Sequence, residues 1–259
     1  MIKKLNSFFR QKNTNNTTSP SRECYICKNK VTNFTSFRGG SKSKSTYLKH
    51  LNIIGSDRDN FGCPNCNCID RERHLFMFFD KTNFWDNIPN SNILHFAPES
   101  NLMNKIHSLS PKKYIKADWL IENEDYQKID VTNIPYDDNT FDSVICNHVL
   151  EHVEDYKIGM SEIYRVLSIG GIAILQTPVS RLLKNNFSDP NINTNELRKC
   201  FYGQVDHCRV FSEETFLNDL RNTGFHLEVI KHGDVFSEED AYIYGVNKNE
   251  DFFRVKKLK

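Results

Sequence analysis

The chain has 259 residues, 38% of them hydrophobic and 26% charged, with a formal net charge of +1. That length accommodates one large domain with a small appendage, and no apolar run approaches the roughly 18 residues a membrane span needs. The near-neutral total hides an asymmetry: residues 1–50 carry 11 Lys and Arg against one acid, Glu23, a balance of +10 that leaves −9 for the remainder. A basic end on an acidic body implies either an anionic contact, such as nucleic acid, a phosphorylated substrate or an acidic partner, or a solvated tail. The opening MIKKLNSFFRQKNTNN lacks a signal-peptide core, so the expected location is the cytoplasm, with all eight cysteines reduced.

Residues 1–21, rich in Asn, Lys, Thr and Ser, have little to bury and are expected to form a flexible basic lead. Cys24 and Cys27 in CYIC and Cys63 and Cys66 in CPNC form two C-x-x-C pairs, a spacing that offers four thiolates to one tetrahedral Zn²⁺. The segment between them lacks a regular apolar pattern, so metal would supply the stability a core cannot. Four protein ligands leave no open position, which makes the predicted site structural, with Cys68 and His74 as substitute ligands. Residues 22–75 are assigned to this module, 76–250 to the main domain and 251–259 to a basic tail.

From Asp70, RERHLFMFFDKTNFW reads as a helix with Leu75, Phe76, Phe79 and Trp85 as its packing stripe and with Arg71 and Arg73 placed to reach an anion. Strands are predicted at Ile93–Ala97, at YIKADWL ending on Asp118, at YQKID ending on Asp130, and at FDSVICNH. A helix follows with Ile158, Ile163, Val166 and Leu167 on one side. It is stopped by Gly170 and Gly171 before the strand IAILQTP. Strand–helix–strand units of this length form parallel sheets, whose ligands sit beyond the carboxyl ends of the strands; Asn147, His148 and Thr177 therefore point towards a site. The polar, Asn-rich stretch after Pro178 is longer than an ordinary loop and reads as a substrate lid or insertion. Ser212 begins an N-cap pattern for SEETFLNDLRNTG, and HLEVIKHG and AYIYGVNK are predicted as two closing strands.

The stretch KIDVTNIPYDDNTFDSVICNHVLEHVEDYKIGMSEIYRVLSIGGIAILQTP resembles the second half of a class I S-adenosylmethionine-dependent methyltransferase, in its aspartate before PYDDNTFDSV, its LEHV and its RVLSIGG turn. CPNCNCIDRERHLF followed by ILHFAPE, with GQVDHCRVF later, resembles a subgroup carrying a cysteine-rich segment, an arginine pair and an HFAPE-type first turn. The resemblance implies an α/β, Rossmann-like, doubly wound seven-stranded sheet behind a small N-terminal zinc-binding module. It implies S-adenosylmethionine held by Ala97, Pro98 and Glu99 at the first turn, by Asp118 (the ribose hydroxyls) with Trp119, by Asp130, Val131 and Thr132 (the adenine), and by Asn147 and His148. The first turn has no glycine: Ala97 and Glu99 stand where glycines are usual in the family, and His95 where an acid is common. Glu99 is expected to accept a bond at the helix N-terminus or to meet the cationic end of the cofactor.

Methyl transfer from a sulfonium needs alignment and removal of one proton rather than a protein nucleophile. His207 is the first choice for that base, or for a substrate anchor, and His148 the second. The acceptor implied by the resemblance is a small molecule or saccharide. RNA, held by the zinc module and the basic N-terminus, is the alternative, as is a protein that binds the cofactor without catalysis. His148, Glu151 and His152 also spell H-x-x-E-H, an inverted zinc-peptidase pattern, but that chemistry needs both histidines on one helix face and here the motif straddles a strand-to-helix turn.

Overall fold

The computed structural model describes residues 21–120 and 123–259; the expected basic lead, residue 21 apart, lies outside these. The N-terminal part contains β1 (Arg22–Glu23), β2 (Lys30–Val31) and α1 (Thr46–His50). α2 (Asp70–Lys81), β3 (Asn92–Phe96), α3 (Ser100–Ser108), β4 (Lys113–Ala117), β5 (Phe141–Cys146), α4 (Tyr156–Val166) and β6 (Leu167–Ile174) follow. The remainder comprises β7 (Val179–Ser180), α5 (Asn195–Phe201), β8 (Phe211–Ser212), α6 (Glu213–Thr223), β9 (His226–Ile230), α7 (His232–Val235), α8 (Glu238–Tyr244) and β10 (Phe252–Lys256).

The central sheet runs β4-β3-β5-β6-β10-β9, parallel from β4 to β6 and antiparallel on both sides of β10. Its two faces are read directly from alternation along the strands. Leu94, Phe96, Val144, Cys146, Ala173 and Val255 face a core closed by Met160, Ile163, Phe216 and Leu220 of α4 and α6. Ile93, Ile145, Ile174 and Phe252 face Leu75, Phe78 and Phe79 of α2 and Leu102 and Ile106 of α3. The chain steps outward from β3 to β4, then returns to place β5 on the other side of β3. This reversal is the switch point at which doubly wound sheets bind ligands.

Several local expectations are corrected. The third predicted strand, YQKID, is reduced to a single parallel bridge between Gln127 and Ala117 at the edge of β4, so the sheet has six strands and a seventh position held by one rung. AYIYGVNK is no strand, since its first four residues end helix α8, and the closing strand is β10, inside the predicted tail: Phe252 and Val255 are fully buried between β6 and β9. Gly170 and Gly171 do not stop α4; they lie within β6, where the register to β5 shifts between Phe141 and Ser143. A Cβ on Gly171 would stand 2.8 Å from the Ser168 carbonyl oxygen. Ile158 faces solvent.

The cysteine-rich segment is woven into the main domain. Ile54 and Val179 exchange backbone hydrogen bonds of 2.8 and 3.0 Å, and Tyr47, Leu48 and Leu51 pack with Phe187, Ile192, Tyr202 and Val210 of the long insertion. Arg73, expected to meet an anion, is wholly buried: it donates to the carbonyls of Cys68, Tyr244 and Gly245 at 3.2, 2.7 and 2.8 Å and lies over the Phe34 ring. Gly245 allows this junction, since it ends α8 at φ 61° and a Cβ there would stand 2.4 Å from the Phe34 ring.

Candidate active site and thiolate cluster

A cavity of about 620 Å³ opens at the carboxyl ends of the parallel strands, within the usual range of small-molecule sites. Ala97 follows β3, Asp118 and Trp119 follow β4, Asp130, Val131 and Thr132 follow the bridged segment, and His148 follows β5; all of these line it. Seven of the ten residues expected around the cofactor thus converge on one space.

Two of them carry strained backbone. Ala97 and His148 adopt left-handed φ of 43° and 54°, each of which costs about 1 kcal/mol or more in a residue with a side chain. At Ala97 the reason for the expected glycine is visible: the chain must turn sharply out of β3, and alanine does so under strain. At His148 the same turn directs the ring into the cavity wall while its N–H bonds the Gln176 carbonyl at 2.7 Å.

The carboxylates are partly engaged. Oδ1 of Asp118 accepts from the Leu120 N–H at 2.7 Å, and Oδ1 of Asp130 accepts from both N–H and Oγ1 of Thr132 at 2.8 Å. These bonds orient both carboxylates at the strand ends.

Pro98, Glu99 and Asn147 do not line the cavity. Glu99 turns inward, 3.2 Å from Nε2 of His95, whose Nδ1 meets the Tyr114 hydroxyl at 2.9 Å. Burial alone would raise the Glu99 pKa, but the bond and charge of His95 bring it below the ordinary value. Glu99 therefore does not cap α3; Glu72 does so from α2, accepting from the Asn101 N–H at 2.8 Å. Oδ1 of Asn147 accepts weakly from the Gln176 N–H at 3.4 Å.

His207 also lies off the cavity lining. Its Nδ1 is 3.1 Å from the Tyr202 carbonyl, its Nε2 is 2.9 Å from the Gln204 side-chain nitrogen, and its ring stands edge-on to His152 at 4.7 Å. Burial lowers its pKa. Nδ1 of His148 lies 3.3 Å from Oε1 of Glu151, a charge contact without hydrogen-bond alignment. Burial would raise the Glu151 pKa, but His148 first, then His207 and His152, hold it at about 2. His152, Glu154, Asp155 and Asp206, which the sequence reading assigned no site role, also line the cavity. The signal for His152 was present in HVLEH, but spacing along the chain did not show which side chains would face inward.

The four predicted zinc ligands come together: Sγ atoms of Cys24, Cys27, Cys63 and Cys66 all lie within 4.8 Å of one another. Cys24–Cys66 and Cys27–Cys63 are 3.7 and 3.9 Å apart, against about 3.8 Å for sulfurs on one tetrahedral zinc with 2.3 Å bonds. The two knuckles repeat one backbone pattern. Cys24 N–H donates to the Asn29 carbonyl and Cys63 N–H to the Cys68 carbonyl, while Lys28 and Asn67 both turn left-handed at φ 59° and donate back to the carbonyls of Cys24 and Cys63. Cys68 sits behind the set, 3.3 Å from Cys24 and 3.7 Å from Nη1 of Arg73. His74 is no substitute ligand, since it lies in the core with Nε2 2.8 Å from Nδ1 of His232.

Residues 102–175, from α3 to the end of β6, match the family described as "Methyltransferase domain". A demethylmenaquinone methyltransferase from Staphylococcus epidermidis is 38% identical over 71 residues, 26% of this chain and 30% of that protein. A ubiquinone/menaquinone biosynthesis C-methyltransferase, UbiE, from Geobacter sulfurreducens is 45% identical over 58 residues, 21% of this chain and 23% of that protein. The chain thus spans less than a third of the length of these curated relatives. A solved S-adenosylmethionine-dependent methyltransferase from Mesorhizobium loti has a TM-score of 0.48 at 16% identity, covering 66% of this chain and 92% of that one. Residues 102–175 thus match a methyltransferase family, and the sheet order with its switch-point cavity fits the fold of class I S-adenosylmethionine-dependent methyltransferases.

Proposed function

We propose that this protein transfers the methyl group of S-adenosylmethionine to a small-molecule or saccharide acceptor. The observation that carries this reading is the convergence of Ala97, Asp118, Asp130 and Thr132, from three neighbouring strand ends, on one cavity of about 620 Å³. When bound there, S-adenosylmethionine supplies an electrophilic methyl group already attached to its leaving group. Asp118 would accept from the ribose hydroxyls, and Asp130 with Val131 and Thr132 would line the adenine end. His148, on the cavity wall, takes the place of His207 as the residue to accept the acceptor's proton.

The charge of the cavity supports this acceptor class. Asp118, Asp130, Glu154, Asp155 and Asp206 line the cavity, with no Lys or Arg among the described lining residues. Such a wall suits the cationic cofactor and a neutral or cationic acceptor, and repels a polyphosphate backbone. We further propose that one Zn²⁺ on Cys24, Cys27, Cys63 and Cys66 ties the N-terminal segment together.

Calorimetry with S-adenosylmethionine, followed by mass spectrometry of metabolites and RNA incubated with methyl-labelled cofactor, tests the reading. Labelled small molecules are the expected outcome. Labelled RNA with steeply salt-dependent binding would favour the RNA alternative, and cofactor binding without label transfer would leave a binding protein.

A further inference from the structure

The chain segment carrying Asp206–Arg209 is stitched to the turn Leu150–Glu154. Cys208 donates from its N–H to the Glu151 carbonyl at 2.9 Å and from Sγ to the His152 carbonyl at 3.2 Å. Arg209 donates to the carbonyls of Leu150, Val153 and Glu154. This backbone lacing brings together three side chains distant in sequence: one ligand atom each from Glu151, His152 and His207 lies within 4.8 Å of the others.

Each of the three is also oriented from behind. Nδ1 of His207 faces the Tyr202 carbonyl at 3.1 Å, and Nδ1 of His152 faces the carbonyl and carboxylate of Asp206 at 3.3 and 3.4 Å. Oε2 of Glu151 accepts from the Thr177 hydroxyl at 3.0 Å. A histidine whose Nδ1–H is held by an oxygen presents a lone pair at Nε2, the arrangement that outer-shell partners impose on metal-binding histidines. Two imidazoles and one carboxylate form a donor set suited to divalent first-row ions, and His152 belongs both to this set and to the cavity wall.

We propose that Glu151, His152 and His207 bind a divalent transition-metal ion beside the cavity. Donors on one ion stand about 3–3.4 Å apart, so binding draws the three groups slightly closer and displaces the Gln204 amide from His207. This differs from the peptidase arrangement, because His148 precedes the single turn Leu150–His152 in a left-handed conformation and Glu151 is a ligand rather than a base. Resting on the methyltransferase reading, the inference also refines the acceptor to one bearing a hydroxyl. Beside the ion such a hydroxyl would become more acidic.

The test is a Mn²⁺ titration of the untagged full chain, followed by electron paramagnetic resonance without S-adenosylmethionine. Mn²⁺ prefers oxygen and nitrogen donors and leaves the thiolate cluster to zinc. One bound Mn²⁺ per chain is expected, with affinity falling more than about tenfold in both His152→Ala and His207→Ala. His152 is partly exposed, so its variant decides the matter should His207→Ala fail to fold, with circular dichroism as the check. No bound Mn²⁺, or binding undiminished in His152→Ala, overturns the site. Calorimetry with S-adenosylmethionine on the same samples separates the two proposals. Cofactor binding without Mn²⁺ overturns only the metal site; Mn²⁺ binding without cofactor binding overturns only the methyltransferase reading.

Discussion

At Ala97 a left-handed turn and a small side chain meet, and the balance between them is measurable. Ala97→Gly relieves the φ of 43° but adds freedom to the unfolded chain, so stability should stay level or rise by up to about 1 kcal/mol. Ala97→Val places a β-branched side chain in the same conformation and should cost about 1–3 kcal/mol. Paired thermal melts check both. If valine is tolerated as well as glycine, the turn is not strained. Asp118 is the second residue whose role is open to direct measurement. Asp118→Ala should weaken S-adenosylmethionine binding by about 1.5–3 kcal/mol, the scale of charge-assisted hydrogen bonds. Asp130→Ala should loosen the turn at Thr132 as well as any adenine contact. Unchanged calorimetric affinity in the Asp118 variant would remove that residue from the site.

Among the elements, β10 and α2 carry the most weight relative to how their sequences read. β10 is inserted between β6 and the edge strand β9, so a chain ended after Asn249 should lose cooperative unfolding; a docked tail would cost only a few degrees. Far-ultraviolet circular dichroism on heating distinguishes these. At the start of α2, Asp70 is 1% exposed, and burial followed by the nearby Glu250 charge pushes its pKa up to about 7. A carboxyl raised in the fold contributes stability that is full below its unfolded pKa of about 3.9 and lost as pH rises through about 7. Denaturant melts between pH 5 and 8 should therefore show a downward slope that Asp70→Asn flattens. An identical slope in the variant would assign it to other groups.

Across the whole molecule, the thiolate cluster is coupled to the insertion through Ile54–Val179 and the Tyr47–Phe187 contact. If the cluster holds the proposed zinc, chelation or changing both cysteines of a knuckle to serine should raise hydrogen exchange over residues 22–69 and also over 179–211. An increase confined to the first range would mean that the insertion stands by itself. No helix among the described residues is long and apolar enough to cross a membrane.

What the sequence determined by itself is local. C-x-x-C spacing brought four thiols into one cluster, because each knuckle is closed by bonds only a few residues long. Apolar runs and length located β3, β4, β5 and β6, and with them the strand-end residues Ala97, Asp118 and His148. What only the tertiary structure decided are pairings between distant segments. DFFRVKKLK reads as a basic tail because its three lysines and one arginine stand out in the composition, yet Phe252 and Val255 are buried once β6 and β9 flank them. AYIYGVNK has the residues of a strand, but the Ser237 capping box and the left-handed Gly245 make a short helix. His207 matched a loop pattern, and only the lacing of Asp206–Arg209 onto Leu150–Glu154 turned it away from the cavity and towards His152. Strand and turn propensities act within a few residues, whereas the partner that buries a strand or orients a ring can lie a hundred residues away.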